Sequence, residues 1–225
     1  MKKGFTLAEV LITLGIIGVV AALTIPALAT NYKRRVLEIQ FRKAHSYLYQ
    51  AIKLWKEDET DDLYSIYYST GDKNGKALRE AFYKYLKGGY YKLNVSESSL
   101  KDYYTSAKNS NLKAHYCPSS SCLHPVINSF VTLDGIMYNA SARDGVINFL
   151  VDINGYDKGP NKWGIDLFDF DYDESNEFVP KYPCKGSPGV YCCAYTHKRT
   201  TNVNDGMMCT PCALKDKDYF KKIEL

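Results

Sequence analysis

The sequence predicts an α+β protein in which one long N-terminal helix packs on a small antiparallel β-sheet. Three observations predict this fold. An apolar run without charge covers residues 10–29, an amphipathic helical pattern begins at Leu37, and residues 129–151 contain three candidate strands. The 225 residues suffice for such a helix and one globular head of ordinary size.

The apolar run is long enough to cross a membrane. Twenty residues at about 1.5 Å rise give a helix of roughly 30 Å, the thickness of a bilayer's hydrocarbon core. A cleavable secretory signal is one alternative, with Lys2 and Lys3 as its basic region and Ala27-Leu28-Ala29 as its cleavage site. A plain membrane anchor is another. Both leave the carboxylate of Glu9 unexplained.

Glu9 requires a partner, because a charged side chain inside a spanning helix costs about 2.5–3.5 kcal/mol on insertion scales. Cleavage between Gly4 and Phe5 would create one, since the free α-amine of Phe5 would lie one helical turn from Glu9. Between neighbouring helices, the amine of one subunit could pair with Glu9 of the next. Such pairing would set the register of side-by-side assembly.

The N-terminal residues also carry a resemblance. Met1-Lys2-Lys3-Gly4, the following Phe5-Thr6-Leu7-Ala8-Glu9-Val10-Leu11-Ile12, and Gly18 and Pro26 resemble the prepilin leader and first helix of type IV pilins and type II secretion pseudopilins. The resemblance implies cleavage after Gly4 by a prepilin peptidase, which also N-methylates Phe5. It further implies that Glu9 is the residue that directs assembly.

The resemblance implies a structural subunit of a type IV pilus or a type II secretion-like filament, and not an enzyme. The implied partners are the prepilin peptidase, a platform protein with its assembly ATPase, and other pilin subunits. The precursor would span the inner membrane once, with its head outside the cytoplasm, and the assembled filament would be periplasmic or on the cell surface. The alternative is a minor tip pilin that binds a surface, an exoprotein or DNA.

Charge disfavours nucleic acid as a partner of the whole chain. There are 29 basic and 25 acidic side chains, and loss of Lys2 and Lys3 with the leader reduces the excess further. The four histidines are scattered, so no nucleophile, base and orienting acid can be assembled from spacing.

The chain divides into six segments. They are a leader at 1–4, the membrane or filament-core helix at 5–29, an amphipathic helix half at 30–59, a variable αβ connection at 60–128, a β-sheet head at 129–182 and a Cys-rich tail at 183–225.

The amphipathic half predicts one helix face buried against a sheet, because apolar residues recur there every three or four positions. These residues are Leu37, Phe41, Ala44, Leu48, Ala51 and Trp55. A second helix is predicted at residues 76–87, with Leu78, Phe82 and Tyr85 on one face. The candidate strands are 129–132, 136–140 and 146–151, with a hairpin at Leu133-Asp134-Gly135.

An oxygen-rich loop follows the third strand and could bind calcium, which takes six to eight oxygen ligands. Its candidate ligands are Asp152, Asn154, Asp157, Asn161 and Asp166. The alternative is that Asn-Gly and Gly-Pro-Asn form turns whose aspartates bond backbone amides. Resemblance to the C-terminal part of pseudopilin-like proteins, among which the major pseudopilin carries a calcium site, adds support to the metal and leaves the turn alternative open. No other cofactor is required.

Seven cysteines in an exported chain predict disulfides, and their odd number leaves one over. Cys117 and Cys122 are predicted to pair across a short loop, although His115 and His124 beside them also suit zinc. The tail is expected to be irregular and held to the head by disulfides whose pairing is unknown. Its cysteines are Cys184, Cys192, Cys193, Cys209 and Cys212. Zinc binding and a redox role for Cys209-Thr210-Pro211-Cys212 are weaker alternatives.

Overall fold

The computed structural model describes residues 4, 6–58, 82–86, 90–92, 129–143, 146–155, 157–173, 209–223 and 225. Its longest element is helix α1, Leu7–Asp58, with 52 residues. At about 1.5 Å per residue this helix is roughly 78 Å long. It continues through Pro26, and the Thr30 hydroxyl donates to the Pro26 carbonyl at 3.0 Å. The predicted single long N-terminal helix is therefore confirmed.

The two halves of α1 have opposite environments. Side chains from 6 to 29 are exposed except for the half-buried Ala21. The second half buries the predicted stripe against the head, which confirms that the helix and the sheet share one core. The buried residues are Leu37, Phe41, Ala44, Leu48, Ala51, Ile52 and Trp55. The first half alone is long and apolar enough to cross a membrane, and no part of that segment is buried by the described chain.

The described part of the head forms an antiparallel sheet with its strands in chain order. The strands are β1 (Tyr90–Lys92), β2 (Phe130–Thr132), β3 (Met137–Arg143), β4 (Val146–Asp152) and β5 (Leu167–Asp173). The predicted hairpin joins β2 to β3, and Gly135 takes the positive φ of 88° that its turn requires. Lys43 of α1 bonds Asp134 in this turn at 2.6 Å, so the hairpin is tied to the helix.

Strand β5 is an addition to the three predicted strands, and its residues alternate with period two. Phe168, Phe170 and Tyr172 are buried on one side. The phenyl rings of Phe168 and Phe170 lie with their centroids 4.5 and 5.8 Å from that of Phe41 on α1. The alternation is visible in the sequence, but the intervening aspartates also suit the end of the oxygen-rich loop. This strand extends the sheet across the helix face that a three-stranded sheet would leave uncovered.

The end of the tail is regular, contrary to expectation. Residues 210–222 contain two short helices, α2 (Thr210–Lys215) and α3 (Tyr219–Lys222). Tyr219 and Phe220 of α3 and the following Ile223 are buried, and the centroid of the Phe220 ring lies 5.4 Å from that of Phe41. Helices this short show too few turns for an apolar period, so their burial depends on the core that receives them. The predicted helix at 76–87 is described only at 82–86, where Tyr83–Tyr85 form one 3₁₀ turn.

We expect Gly164→Ala to lower the free energy of unfolding by about 1–3 kcal/mol. Gly164 has a φ of 74°, and an added Cβ would lie 2.8 Å from the Cys209 sulfur and 2.9 Å from the Tyr219 hydroxyl. The substitution would therefore strain the backbone and push the tail away. Urea unfolding of the full chain in detergent measures the effect. Gly18→Ala is the control, since a Cβ there meets no atom within 4 Å, and equal stability of the two variants would contradict the prediction.

Candidate functional site

The start of α1 is organised by Glu9 and Thr6. The Thr6 backbone N–H and the Thr6 hydroxyl both donate to Oε2 of Glu9 at 2.8 Å, and the Glu9 N–H donates to the Thr6 hydroxyl at 3.3 Å. This is a capping box, in which residues three apart satisfy each other's terminal groups. The Thr-x-x-Glu spacing of a capping box is present in the sequence, but the sequence prediction pairs Glu9 with the α-amine of Phe5, in its own helix or a neighbouring one, and not with Thr6.

The capping box uses only one of the two carboxylate oxygens of Glu9, namely Oε2. Oε1 of Glu9 receives no hydrogen bond from the residues that the structure describes. The same carboxylate can therefore cap its own helix and accept a donor from another molecule. Gly4 has open space around it, with no atom within 4 Å of the position that a Cβ would take. Phe5 lies outside the described residues, so pairing of its amine with Glu9 stays a prediction.

The surface that follows Glu9 is apolar and uncovered. Leu11, Ile12 and Ile17 are each more than 60% exposed, and positions 15 and 18 are glycines with open space beside them. Such a surface is stable only in lipid or against other apolar helices. Small residues permit close approach of helices where lipid supplies no hydrophobic drive.

These features define a class of protein, an α+β protein whose long N-terminal helix has an apolar first half that suits a membrane anchor. Residues 1–25 match the family model of the prokaryotic N-terminal methylation motif. This motif is the signature of prepilin-type proteins, the type IV pilins and pseudopilins, and the resemblance seen in the sequence is confirmed. No curated protein and no solved structure matches the chain. The motif points to a structural subunit rather than an enzyme.

A second candidate site is the loop between β4 and β5. It contains four predicted calcium ligands that are buried together and one that is not. The buried ones are Asp152, Asn154, Asn161 and Asp166. Asp157 lies on the surface of the loop. Gly155, Gly159 and Asn161 have positive φ values of 91°, 45° and 53°, which fold the chain tightly around the buried side chains.

Asp166 is the centre of this loop. Its Oδ1 accepts the Lys162 N–H at 2.6 Å, and its Oδ2 accepts the Asn161 N–H at 2.7 Å and the Asn154 amide at 3.4 Å. Asp152 accepts the N–H groups of Asn154 and Gly155 at 3.3 and 2.9 Å. Both carboxylates thus stabilise turns of their own loop.

The arrangement is compatible with both alternatives, because the carboxylates accept backbone N–H groups whereas the buried Oδ1 of Asn154 accepts no hydrogen bond from the described residues. Both oxygens of Asp166 already face N–H donors, and Asp157 lies apart from the other candidates. Among the described residues, no three His, Cys, Asp or Glu side chains are grouped as metal ligands. Calcium binding by the loop stays a prediction, which the melting temperature in millimolar calcium against chelator would decide.

We expect the free energy of unfolding to fall by about 2–3 kcal/mol as pH rises from about 4 to 6 because of Asp166. Burial raises the pKa of this carboxyl to about 6 from its usual 3.8, against the opposing effect of its hydrogen bonds. The folded chain therefore holds a proton that the unfolded chain releases in this window. The stabilisation is complete below about pH 4 and is lost above about pH 6.

Urea unfolding of the full chain between about pH 4 and 7 tests this expectation, with Asp166→Asn as the reference. The difference between the two proteins isolates Asp166 from His45, whose pKa is lowered by burial and which contributes with the opposite sign. The prediction would be contradicted if the free energy of unfolding of wild type increased with pH relative to that of Asp166→Asn.

Two of the predicted disulfide cysteines are described. Cys209 and Cys212 are buried and each is disulfide-bonded in the structure. The pairing among the cysteines stays a prediction. The remaining predicted residues lie outside the described part of the chain, and they are Cys117, Cys122, Cys184, Cys192 and Cys193.

Proposed function

We propose that this chain is a structural subunit of a type IV pilus or a type II secretion-like filament. Its precursor spans the inner membrane through residues 10–29. A prepilin peptidase cleaves between Gly4 and Phe5 and N-methylates Phe5. The mature subunit then leaves the membrane and packs its helix into the filament core, with the head outside.

The observation that carries this proposal is the combination of the methylation motif with an uncovered apolar helix half. A signal peptide would not be an extension of a helix that is anchored in the head. Here α1 is continuous from Leu7 to Asp58, and its second half is part of the core. The apolar half therefore stays with the head after cleavage at residue 4, and it needs lipid or neighbouring helices around it.

Glu9 supports assembly by the same helix. Its Oε1, which the capping box does not use, lies on the first turn, where a neighbouring subunit's α-amine would supply a charged donor. By the same resemblance, a platform protein and its assembly ATPase would supply the work of moving the apolar helix out of lipid.

We expect Gly4→Val to abolish cleavage while leaving the fold unchanged. Gly4 precedes the helix and has open space around it, so a side chain there disturbs no packing. Any loss of processing would then reflect failed recognition of the altered cleavage site by the peptidase. Mass spectrometry of the N-terminus from purified membranes provides the measurement, and wild type should begin with a methylated Phe5. Mature wild-type protein that begins at Asn31 or retains Met1 would overturn the proposed function.

The alternative role is a minor tip subunit whose head binds a surface, an exoprotein or DNA. Abundance separates the two roles, because a bulk subunit dominates sheared filaments and a tip subunit is scarce in them. Quantitative mass spectrometry of sheared filaments, normalised to the membrane pool, makes the distinction. Both roles require the same cleavage at Gly4, so this measurement is independent of the preceding one.

A further inference from the structure

The base of the head has a basic surface built from two distant parts of the sequence. We name it the basal surface, and its exposed residues are Lys33, Arg35, Lys217, Lys221 and Lys222. Residues 31–36 and 215–225 together contain seven basic and three acidic side chains, although the whole chain is nearly balanced. The excess positive charge is therefore concentrated at one end of the head.

The C-terminal segment is held at this end by specific contacts. The Arg34 guanidinium donates through Nε and Nη2 to the Ile223 carbonyl at 3.1 and 2.9 Å. Ile223 is fully buried, and Phe220 packs on Phe41. These contacts place the lysines of α3 beside the part of α1 that begins at Arg34.

This part of α1 lies directly beyond the apolar run. Arg34 follows Ala29 by five residues, which is about 7.5 Å along a helix. Tyr32, 69% exposed, lies between them, where aromatic side chains anchor spanning helices at the headgroup level. The distance is about one Debye length at physiological salt, so lipid charge still acts on the basal surface, although the attraction is partly screened.

The acidic neighbours do not neutralise the basal surface. Lys221 bonds Asp218 and Lys222 bonds Asp216, both at 2.7 Å, with the lysine side chains 75% and 48% exposed. Exposed pairs of this kind contribute little and are readily exchanged for other anions. Glu38, the nearest acidic residue of α1 beyond Arg35, bonds Arg42 at 2.8 Å and also attracts Lys221 through space. Because basic side chains outnumber acidic ones in these two segments, the basal surface keeps a net positive charge that attracts an external anion.

We infer that the basal surface binds anionic phospholipid headgroups of the leaflet that faces the head, with the C-terminal helix as a second membrane contact beside α1. The inference rests on the membrane-anchored precursor of the proposed function. Each basic residue near a strongly anionic membrane changes the attraction about five-fold. The contact would hold the head upright on the bilayer before assembly and would be given up when the subunit leaves the membrane.

The experiment uses the full chain in nanodiscs of phosphatidylcholine with and without phosphatidylglycerol. Electron spin resonance of spin-labelled lipids measures how strongly each headgroup is retained around the protein. Wild type should retain the anionic lipid at least about twice as strongly as the neutral one, and about 0.5 M salt should remove the preference. Lys217→Gln with Lys221→Gln should reduce it by about half or more.

The matched control is Lys53→Gln with Lys158→Gln, which removes the same charge from exposed positions away from the base. Lys53 lies about 28 Å along α1 from Arg34. Wild-type preference in the Lys217 and Lys221 variant would overturn the inference. Unchanged lipid preference combined with weaker self-association would instead assign the surface to another copy of the chain. A chain that fails to insert would be recovered outside the nanodiscs, which would count against the proposed function itself.

Discussion

Glu9→Ala is expected to leave the precursor inserted and cleaved and to reduce its assembly into filaments by about a hundredfold or more. Removing one partner of a buried charge pair costs about 3–5 kcal/mol, because the other charge stays in an apolar environment without compensation. In a filament core that other charge would be the α-amine of Phe5 on a neighbouring subunit. Oε1 of Glu9, which the capping box does not use, is the atom available to accept it.

Thr6→Ala is the matched control for this experiment. It removes the hydroxyl that bonds Glu9 in both directions, at 2.8 and 3.3 Å, while the charge of Glu9 remains. Loss of such a cap costs about 0.5–2 kcal/mol, so a much smaller assembly defect is expected. Immunoblots of sheared filaments and membranes give the assembled fraction. Equal defects in the two variants would show that Glu9 acts by capping its own helix, and normal assembly of Glu9→Ala would refute its assembly role.

Asp166→Ala is expected to lower the free energy of unfolding by about 2–4 kcal/mol. The substitution leaves the buried N–H of Asn161 without its acceptor, at a cost of about 1–3 kcal/mol, and the half-buried N–H of Lys162 at a smaller cost. Relief from burying a charged carboxylate returns part of that cost, since burial already raises its pKa. The loop between β4 and β5 should then open and release the tail, because Tyr219 bonds the Gly164 carbonyl at 2.6 Å.

Asp157→Ala is the control in the same loop. Asp157 is exposed, and surface substitutions of this kind change stability by less than about 0.5 kcal/mol. Urea unfolding of the full chain in detergent near neutral pH compares the three proteins. A loss in Asp157→Ala as large as that in Asp166→Ala would show that the loop is stabilised from its surface and not by the buried carboxylate.

The helix and the hairpin can be predicted because their signals are local. The stripe from Leu37 to Trp55 has the period of a helix face, and Asp134-Gly135 has the conformation that a hairpin requires. Strand β5 escapes prediction because its aspartates also suit a metal loop. The packing of Phe220 and Ile223 escapes it because two short helices have no recognisable period.

For the oxygen-rich loop too, the sequence gives the residue types, and the fold decides which of them are buried. The sequence places five oxygen-bearing side chains on one loop, which is compatible with a cation or with turns. Only the folded chain distinguishes the buried Asp152, Asn154, Asn161 and Asp166 from the exposed Asp157. The direction of each N–H group depends on φ at Gly155, Gly159 and Asn161, and a sequence pattern does not contain these angles.

The sequence by itself determined the class of this protein, its N-terminal processing motif and the long helix, because each depends on residues that are contiguous or evenly spaced. The tertiary structure alone decided that Asp166 anchors a loop and that the C-terminus returns to the base of the head. The last contact joins Arg34 to Ile223, which are 189 positions apart. Contacts between residues so far apart in sequence depend on the packing of the whole core, and local sequence patterns do not predict them.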